Sequence, residues 1–210
     1  STAIPQNFFT VWYNLFERGQ IKKSDTILIH GGSSGIGTAA IQLCKVHGCK
    51  VITTVGNKKK QLYCKKLGAD LAINYNKSNF LEVITKYTKN KGVDIILDMV
   101  GQKYFEKNVL LLKDKGKLIM IAFLSGSITK ADFTAIMTKR LILTGSTLRP
   151  RTDEEKAKIA KNLHKSYWTA FTKKTIKPNI YKIFNLKDAF KAHKLMESSK
   201  HLGKIVLKTK

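Results

Sequence analysis

The stretch Thr26-Ile-Leu-Ile-His30-Gly-Gly-Ser-Ser-Gly-Ile-Gly37 decides the fold. Thr26 to His30 is a short, apolar, β-prone run, the pattern of a parallel strand buried on both faces. Glycines at 32, 35 and 37 follow at once, and Thr38 to His47 then carries Ala40, Ile41, Leu43, Cys44 and Val46 at helical spacing. A strand, a glycine loop and a helix in that order aim free N–H groups at an anion, and glycine lets the backbone approach it closely. The pattern Gly32-x-x-Gly35-x-Gly37 therefore points to a pyrophosphate. A tight βα turn without a ligand is the plainer alternative.

Working outward, the alternation persists. Strands are predicted at Lys50–Val55, Leu71–Tyr75, Val93–Val100, Lys117–Phe123 and Leu141–Gly145, with Gly116 opening the strand at 117. Helices are predicted between them at Lys58–Leu67, Phe80–Lys89, Tyr104–Leu112 and Ala131–Thr138. Six strands separated by helices predict an α/β fold, a doubly wound parallel sheet of the Rossmann kind. Residues 3–20 lead into it as one amphipathic helix with Phe8, Phe9, Trp12, Leu15 and Phe16 on its apolar side, stopped by Gly19. After Pro150 the character changes. Thr152 caps a long helix Asp153–Phe171 with three acids in its first turn. A strand at Asn179–Phe184, a helix Leu186–Ser199 and a strand Lys204–Lys208 form a β-α-β tail. The expected division is a dinucleotide-binding domain over 1–172 and a smaller unit over 173–210.

Composition narrows the classes. The chain has 210 residues, 43% of them hydrophobic, which is enough for a core. No apolar run approaches the ~20 residues of a membrane span, and the N-terminus lacks a signal-peptide pattern. Cys44, Cys49 and Cys64 are odd in number and lack metal-ligand spacing, so reduced thiols and a cytoplasmic location are expected. The net charge is +25, from 39 Lys+Arg against 14 Asp+Glu. Arginine occurs only at 18, 140, 149 and 151, and the lysines are scattered. Base and phosphate recognition recruits arginine forks, so the charge reads as general lysine bias rather than specific nucleic-acid binding.

The second strand selects among dinucleotides. A carboxylate at its end would accept from a ribose 2′-OH and repel a 2′-phosphate. Here it ends Thr53-Thr-Val-Gly-Asn57, without an acid, and Lys58, Lys59 and Lys60 follow. NADPH is favoured; chance lysines at a helix start are the alternative. His30 reads as a packed strand-end residue. Asp98 reads equally as a crevice carboxylate or as the cap of the next turn. No catalytic side chain and no metal ligand is read from the sequence.

The segments Phe9-Thr-Val-Trp-Tyr-Asn14, His30–Gly37, Leu67-Gly-Ala-Asp70, Asn74-Tyr75, Gly145-Ser-Thr-Leu-Arg149 and Gly203-Lys-Ile-Val-Leu207 together resemble one family. It is the zinc-independent quinone oxidoreductases of the medium-chain dehydrogenase/reductase superfamily. The resemblance implies an NADPH-dependent reductase of quinones, enones or activated carbonyls. Residue by residue, it implies that Ser34, Gly35, Ile36 and Gly37 bind the pyrophosphate. Lys60 and Tyr75 would hold the 2′-phosphate, and Gly56 and Asn57 would line the adenosine ribose. Thr10, Val100 and Phe123 would flank the nicotinamide. It further implies a homodimer paired through the edge strand 141–145.

Members of that family carry an N-terminal, partly barrel-like catalytic domain. The chain is thus expected to be a truncated form, with the tail a remnant of that domain and a separate N-terminal segment as a partner. The competing expectation is a non-catalytic module that binds NADPH or, through its charge, nucleic acid.

Overall fold

In a computed structural model, residues 3–209 are described. Ser1, Thr2 and Lys210, the outer ends of the two expected domains, lie outside the described residues. Six strands form one parallel sheet: β1 (Thr26–His30), β2 (Lys50–Val55), β3 (Leu71–Asn74), β4 (Val93–Asp98), β5 (Leu112–Met120) and β6 (Ile142–Gly145). Their order is β3-β2-β1-β4-β5-β6. The chain leaves β1 in one direction to β2 and later returns on its other side to β4. Ligands of such sheets bind at that reversal, beyond the carboxyl ends of the strands.

Alternate strand residues supply two cores. Ile27, Ile29, Val51, Ile95, Leu97 and Ile119 face one side, and Leu28, Ile52, Ile96 and Leu118 face the other. The first side is covered by α1 (Pro5–Val11), α2 (Gly35–His47), α3 (Lys58–Lys66) and α7 (Asp153–Thr172). The second is covered by α4 (Phe80–Tyr87) and α5 (Phe105–Leu111). A short α6 (Thr134–Thr138) precedes β6. Each fully buried Leu or Ile contributes about 1.5–3 kcal/mol through removal from water, which explains why the strands are apolar on both faces. Among the described residues no helix is long and apolar enough to cross a membrane.

The single leading helix is corrected. α1 passes at Trp12 into a π-helical segment, Trp12–Arg18. The Asn14 side-chain amide donates to the Thr10 carbonyl at 2.8 Å, so the regular ladder is interrupted there. The widened turn lets Trp12 and Phe16 stack at 4.6 Å. Gly19 closes it, because a Cβ there would lie 2.5 Å from the Leu15 carbonyl. β5 begins at Leu112, earlier than expected, and its register with β4 shifts between Val93 and Ile95. α6 starts at Thr134 rather than 131, where the Asp132 carboxylate accepts from the Thr134 N–H. Helix α7 opens on the expected cap: Thr152 and Glu155 form a reciprocal capping box.

The tail folds as β7 (Ile180–Asn185), α8 (Ala189–Glu197) and β8 (Lys204–Lys208). β7 and β8 pair in parallel as a separate two-stranded sheet. Hydrogen bonds join it to the main body, among them one from the Lys204 ammonium to the Gln6 side-chain carbonyl. Gln42 exchanges side-chain hydrogen bonds with both the N–H and the carbonyl of Lys177, at 2.8 and 3.0 Å. The Gly203 N–H donates to the Ser33 carbonyl at 2.8 Å.

Candidate functional site

The site grows from the end of β1. Gly31 has a φ of +70°, a conformation that side chains resist, and starts the turn. Gly32 and Gly37 allow close packing: a Cβ at 32 would meet Thr53 Oγ1 at 2.0 Å, and one at 37 would meet the Gly31 carbonyl at 2.3 Å. Ser34 is the N-cap of α2, and its Oγ accepts from the Gly37 N–H at 2.9 Å. That leaves the first-turn N–H groups of Gly35 and Ile36 at a positive helix end, without a preceding carbonyl to bond. Gly35 lies under Asn7 of α1, whose amide a Cβ would meet at 2.7 Å. The loop is thus a cradle with backbone donors, open because side chains are missing.

At the end of β2 the expected residues converge. Asn57 caps α3 by accepting from the Lys60 N–H at 2.9 Å. The Tyr75 hydroxyl covers Gly56, where a Cβ would sit 2.8 Å from it. The Asn76 amide donates to the Gly56 carbonyl at 2.7 Å and fixes this corner. Lys58 and Lys59 are exposed, whereas Lys60 is half-buried. Burial lowers the Lys60 pKa, so a bound anion would relieve a desolvated cation. The Tyr75 ring meets Tyr104 edge-on at 6.5 Å, and burial pushes the Tyr104 phenol up to about 12.

The opposite end is looser. Thr10 is half-buried on α1, and its hydroxyl donates to the Gln6 carbonyl at 2.7 Å. Val100 and Phe123 lie in loops beyond β4 and β5, which end at Asp98 and Met120. Those loops are stitched together: the Ser125 N–H and hydroxyl both donate to the Val100 carbonyl at 2.8 Å. Phe123 is half exposed.

Asp98 is the turn cap of the two readings. It is buried, and its oxygens accept from the Val100 and Gly101 N–H groups at 2.8 and 3.1 Å. His30 is packed, with ring nitrogens 2.9 Å from Thr54 Oγ1 and 2.8 Å from Asn108 Oδ1. Burial lowers its pKa against the opposing field of Asp98, which keeps it neutral.

A cleft of about 220 Å³ runs along the glycine loop. Ser34, Gly35 and Ile36 form one wall, and His201, Gly203 and Lys204 of the tail form another. Asn7, His201 and Lys204 were not read from the sequence as site residues. Nothing local marks them: Asn7 packs on Gly35 from the leading helix, and His201 and Lys204 reach the loop across most of the chain. The nearest signal was a polar Asn7 in an otherwise aromatic helix start.

Residues 35–164 match the family model described as zinc-binding dehydrogenase. Human quinone oxidoreductase is 29% identical over 206 residues, covering 98% of this chain and 61% of that protein. Polyketide synthase 37 of Dictyostelium discoideum is 30% identical over 213 residues, 98% of this chain but 7% of the synthase. Among solved structures, the Escherichia coli quinone oxidoreductase complexed with NADPH superposes with a TM-score of 0.83 at 29% identity. It covers 95% of this chain and 61% of that one. A mycobacterial protein complexed with NADPH gives a TM-score of 0.85 at 28% identity, covering 98% and 62%. The chain therefore spans about three-fifths of the quinone oxidoreductases it matches.

Proposed function

Because the chain belongs to the zinc-binding dehydrogenase family, we propose that its cradle holds NADPH and that it serves a reductase of quinones, enones or similarly activated substrates. The observation that carries this reading is the end of β2, where Gly56, Asn57, Lys60 and Tyr75 gather and no carboxylate stands. Ser34, Gly35, Ile36 and Gly37 would receive the pyrophosphate at the start of α2. Lys60 and Tyr75 would receive the 2′-phosphate, and Thr10, Val100 and Phe123 the nicotinamide end. The group supplies hydride chemistry when bound; the protein's part is to orient it and exclude water.

A zinc-independent reaction is part of the proposal. The residues 1–172 would form the cofactor domain and 173–210 the C-terminal part of the barrel-like catalytic domain. Ile180, Tyr181 and Ile183 are exposed on β7, a sheet on which a substrate wall can be built. The three free cysteines support a cytoplasmic location. Exposed Ile142 on the edge strand β6, with exposed Phe133 and Met137 at the helix that leads into it, supports a homodimer through that edge.

Fluorescence titration with NADPH and NADH tests the cofactor. NADPH should bind at least tenfold more tightly, and Lys60→Ala should remove most of that preference, at about 1.5–3 kcal/mol for a charge-assisted contact. Equal affinities that are indifferent to Lys60→Ala would refute the assignment. NADPH oxidation with a quinone then reads the activity.

A further inference from the structure

At the amino ends of the strands, away from the glycine loop, lies a hollow of about 520 Å³. Thr26 opens β1, Lys50 opens β2, Gly92 precedes β4 and Lys113 is the second residue of β5, so the parallel sheet brings all four to one edge. Lys89 and Lys91 join them from the turn between α4 and β4. Four of the nine lining residues are lysine, against 35 in 210 for the whole chain. No carboxylate lines the hollow. Asp94, bonded to two of the lining residues, is already engaged: one of its oxygens accepts from the Thr26 N–H and from the Lys113 ammonium, both at 2.7 Å. That pair offsets Lys113 alone. Among the described residues Lys50, Lys89 and Lys91 form no ion pair. A second hollow on the same edge, beside the starts of β1, β4 and β5, gives the contrast. Lys22, Lys115 and Lys117 line it together with Asp25, Asp94 and Asp114, one acid for each base. Lysine richness is thus balanced in one hollow and left unbalanced in the other.

We propose that the unbalanced hollow binds a diphosphate group, at a site separate from the cofactor cradle. Three uncompensated ammonium groups around one hollow repel each other, and a concave surface of one sign concentrates its field on an incoming anion. A single phosphate group, at about −1.5 to −2 near pH 7, falls short of three positive charges, whereas two linked groups match them. The lysine ammonium is a compact point charge that suits phosphate oxygens, without the planar fork that selects carboxylates. The volume falls within the ~300–1,000 Å³ of small-molecule sites. The lining residues stand at the starts of strands, while the glycine loop and the corner at Gly56 follow the ends of β1 and β2. Occupation therefore displaces nothing from the cradle, and the site stands whether or not the cradle holds NADPH.

The test is an amide-shift titration of isotope-labelled protein with inorganic pyrophosphate, in about 0.15 M salt so that non-specific attraction between exposed charges is screened. Saturable shifts are expected at Lys50, Thr88–Gly92 and Lys113, with Gly35–Gly37 unmoved. The double variant Lys50→Gln/Lys91→Gln should weaken binding roughly tenfold or more. Lys158→Gln/Lys161→Gln on α7 removes the same charge and should change the affinity by less than about twofold. All four lysines are exposed, so the fold is kept in both variants. ADP in a parallel titration separates the two sources of a diphosphate. Tighter binding than pyrophosphate, with shifts at the half-exposed Tyr87 that also lines the hollow, supports a nucleotide diphosphate there. Equal or weaker binding supports the inorganic ion. Shifts that do not saturate, shifts confined to the glycine loop, or equal losses in the two double variants overturn the proposal.

Discussion

The molecule contains two parallel sheets made in the same way and finished differently. In β1 every residue is buried, and β2 and β4 are nearly so. In β7 every residue but Phe184 is exposed, although β7 pairs with β8 in parallel along its length, with one register shift between Ile180 and Lys182. Backbone pairing is therefore not what separates them. Parallel strands are stable where both faces are covered, and only the larger sheet has helices on both. The difference teaches that the tail's stability depends on its seams with the main body and on whatever covers it, rather than on its own core.

The sharpest way to break this comparison is to delete equivalent side chains from the two sheets. Leu28→Ala removes a fully buried side chain of β1 and should cost about 2–5 kcal/mol in urea denaturation. Ile183→Ala, at a position 56% exposed, should cost less than about 1 kcal/mol. Similar costs would show that β7–β8 is covered after all.

The seam is the next test. Gly203 has a φ of +87°, and a Cβ there would lie 2.4 Å from the Asn179 carbonyl. Gly203→Ala should cost about 1–3 kcal/mol and speed amide exchange in β7 and β8 while β1 stays protected. Loss of protection throughout would mean that the two sheets unfold as one unit.

Inside the well-covered region, a buried polar group should give an acid signature. Burial lowers the His30 pKa from its ordinary 6.5. The unfolded chain then binds the proton more readily. The stability is fully present above pH 6.5 and is lost as the pH falls through it. The slope from this residue is at most about 1.4 kcal/mol per pH unit. His30→Gln should flatten that limb of the stability-against-pH curve; an unchanged slope would assign it elsewhere. Within the larger sheet's own region, the smallest effect is expected at the helix that covers one of its faces. Thr152→Ala removes the capping box of α7 and should cost about 1 kcal/mol by thermal unfolding.

How much of this was legible in sequence follows the same division. β1, β2 and β8 have the bounds that apolar runs and flanking glycines predict. The capping residue of α7 was equally plain, because Thr152 and the acids after it act locally. The π-helical turn was hidden, since it depends on one Asn14 side chain displacing a backbone bond. At the site, the glycine loop and the lysines that follow an acid-free β2 were readable as short-range signals, whereas Gly56, Asn57 and Tyr75 came from the family resemblance. The half supplied by Asn7, His201 and Lys204 was not readable. Their role comes from a bridge between residues 34 and 203, and no local pattern announces which distant strand will land on a loop.

That bridge also sets an order of events during synthesis. The six-strand sheet can pair as the chain leaves the ribosome, because all of its strands end by Gly145. The glycine loop, made early, waits with one side open until residue 203 emerges and its N–H finds Ser33. Nascent chains stalled before that point should therefore hold a folded sheet whose glycine loop still lacks the strand that bridges to it.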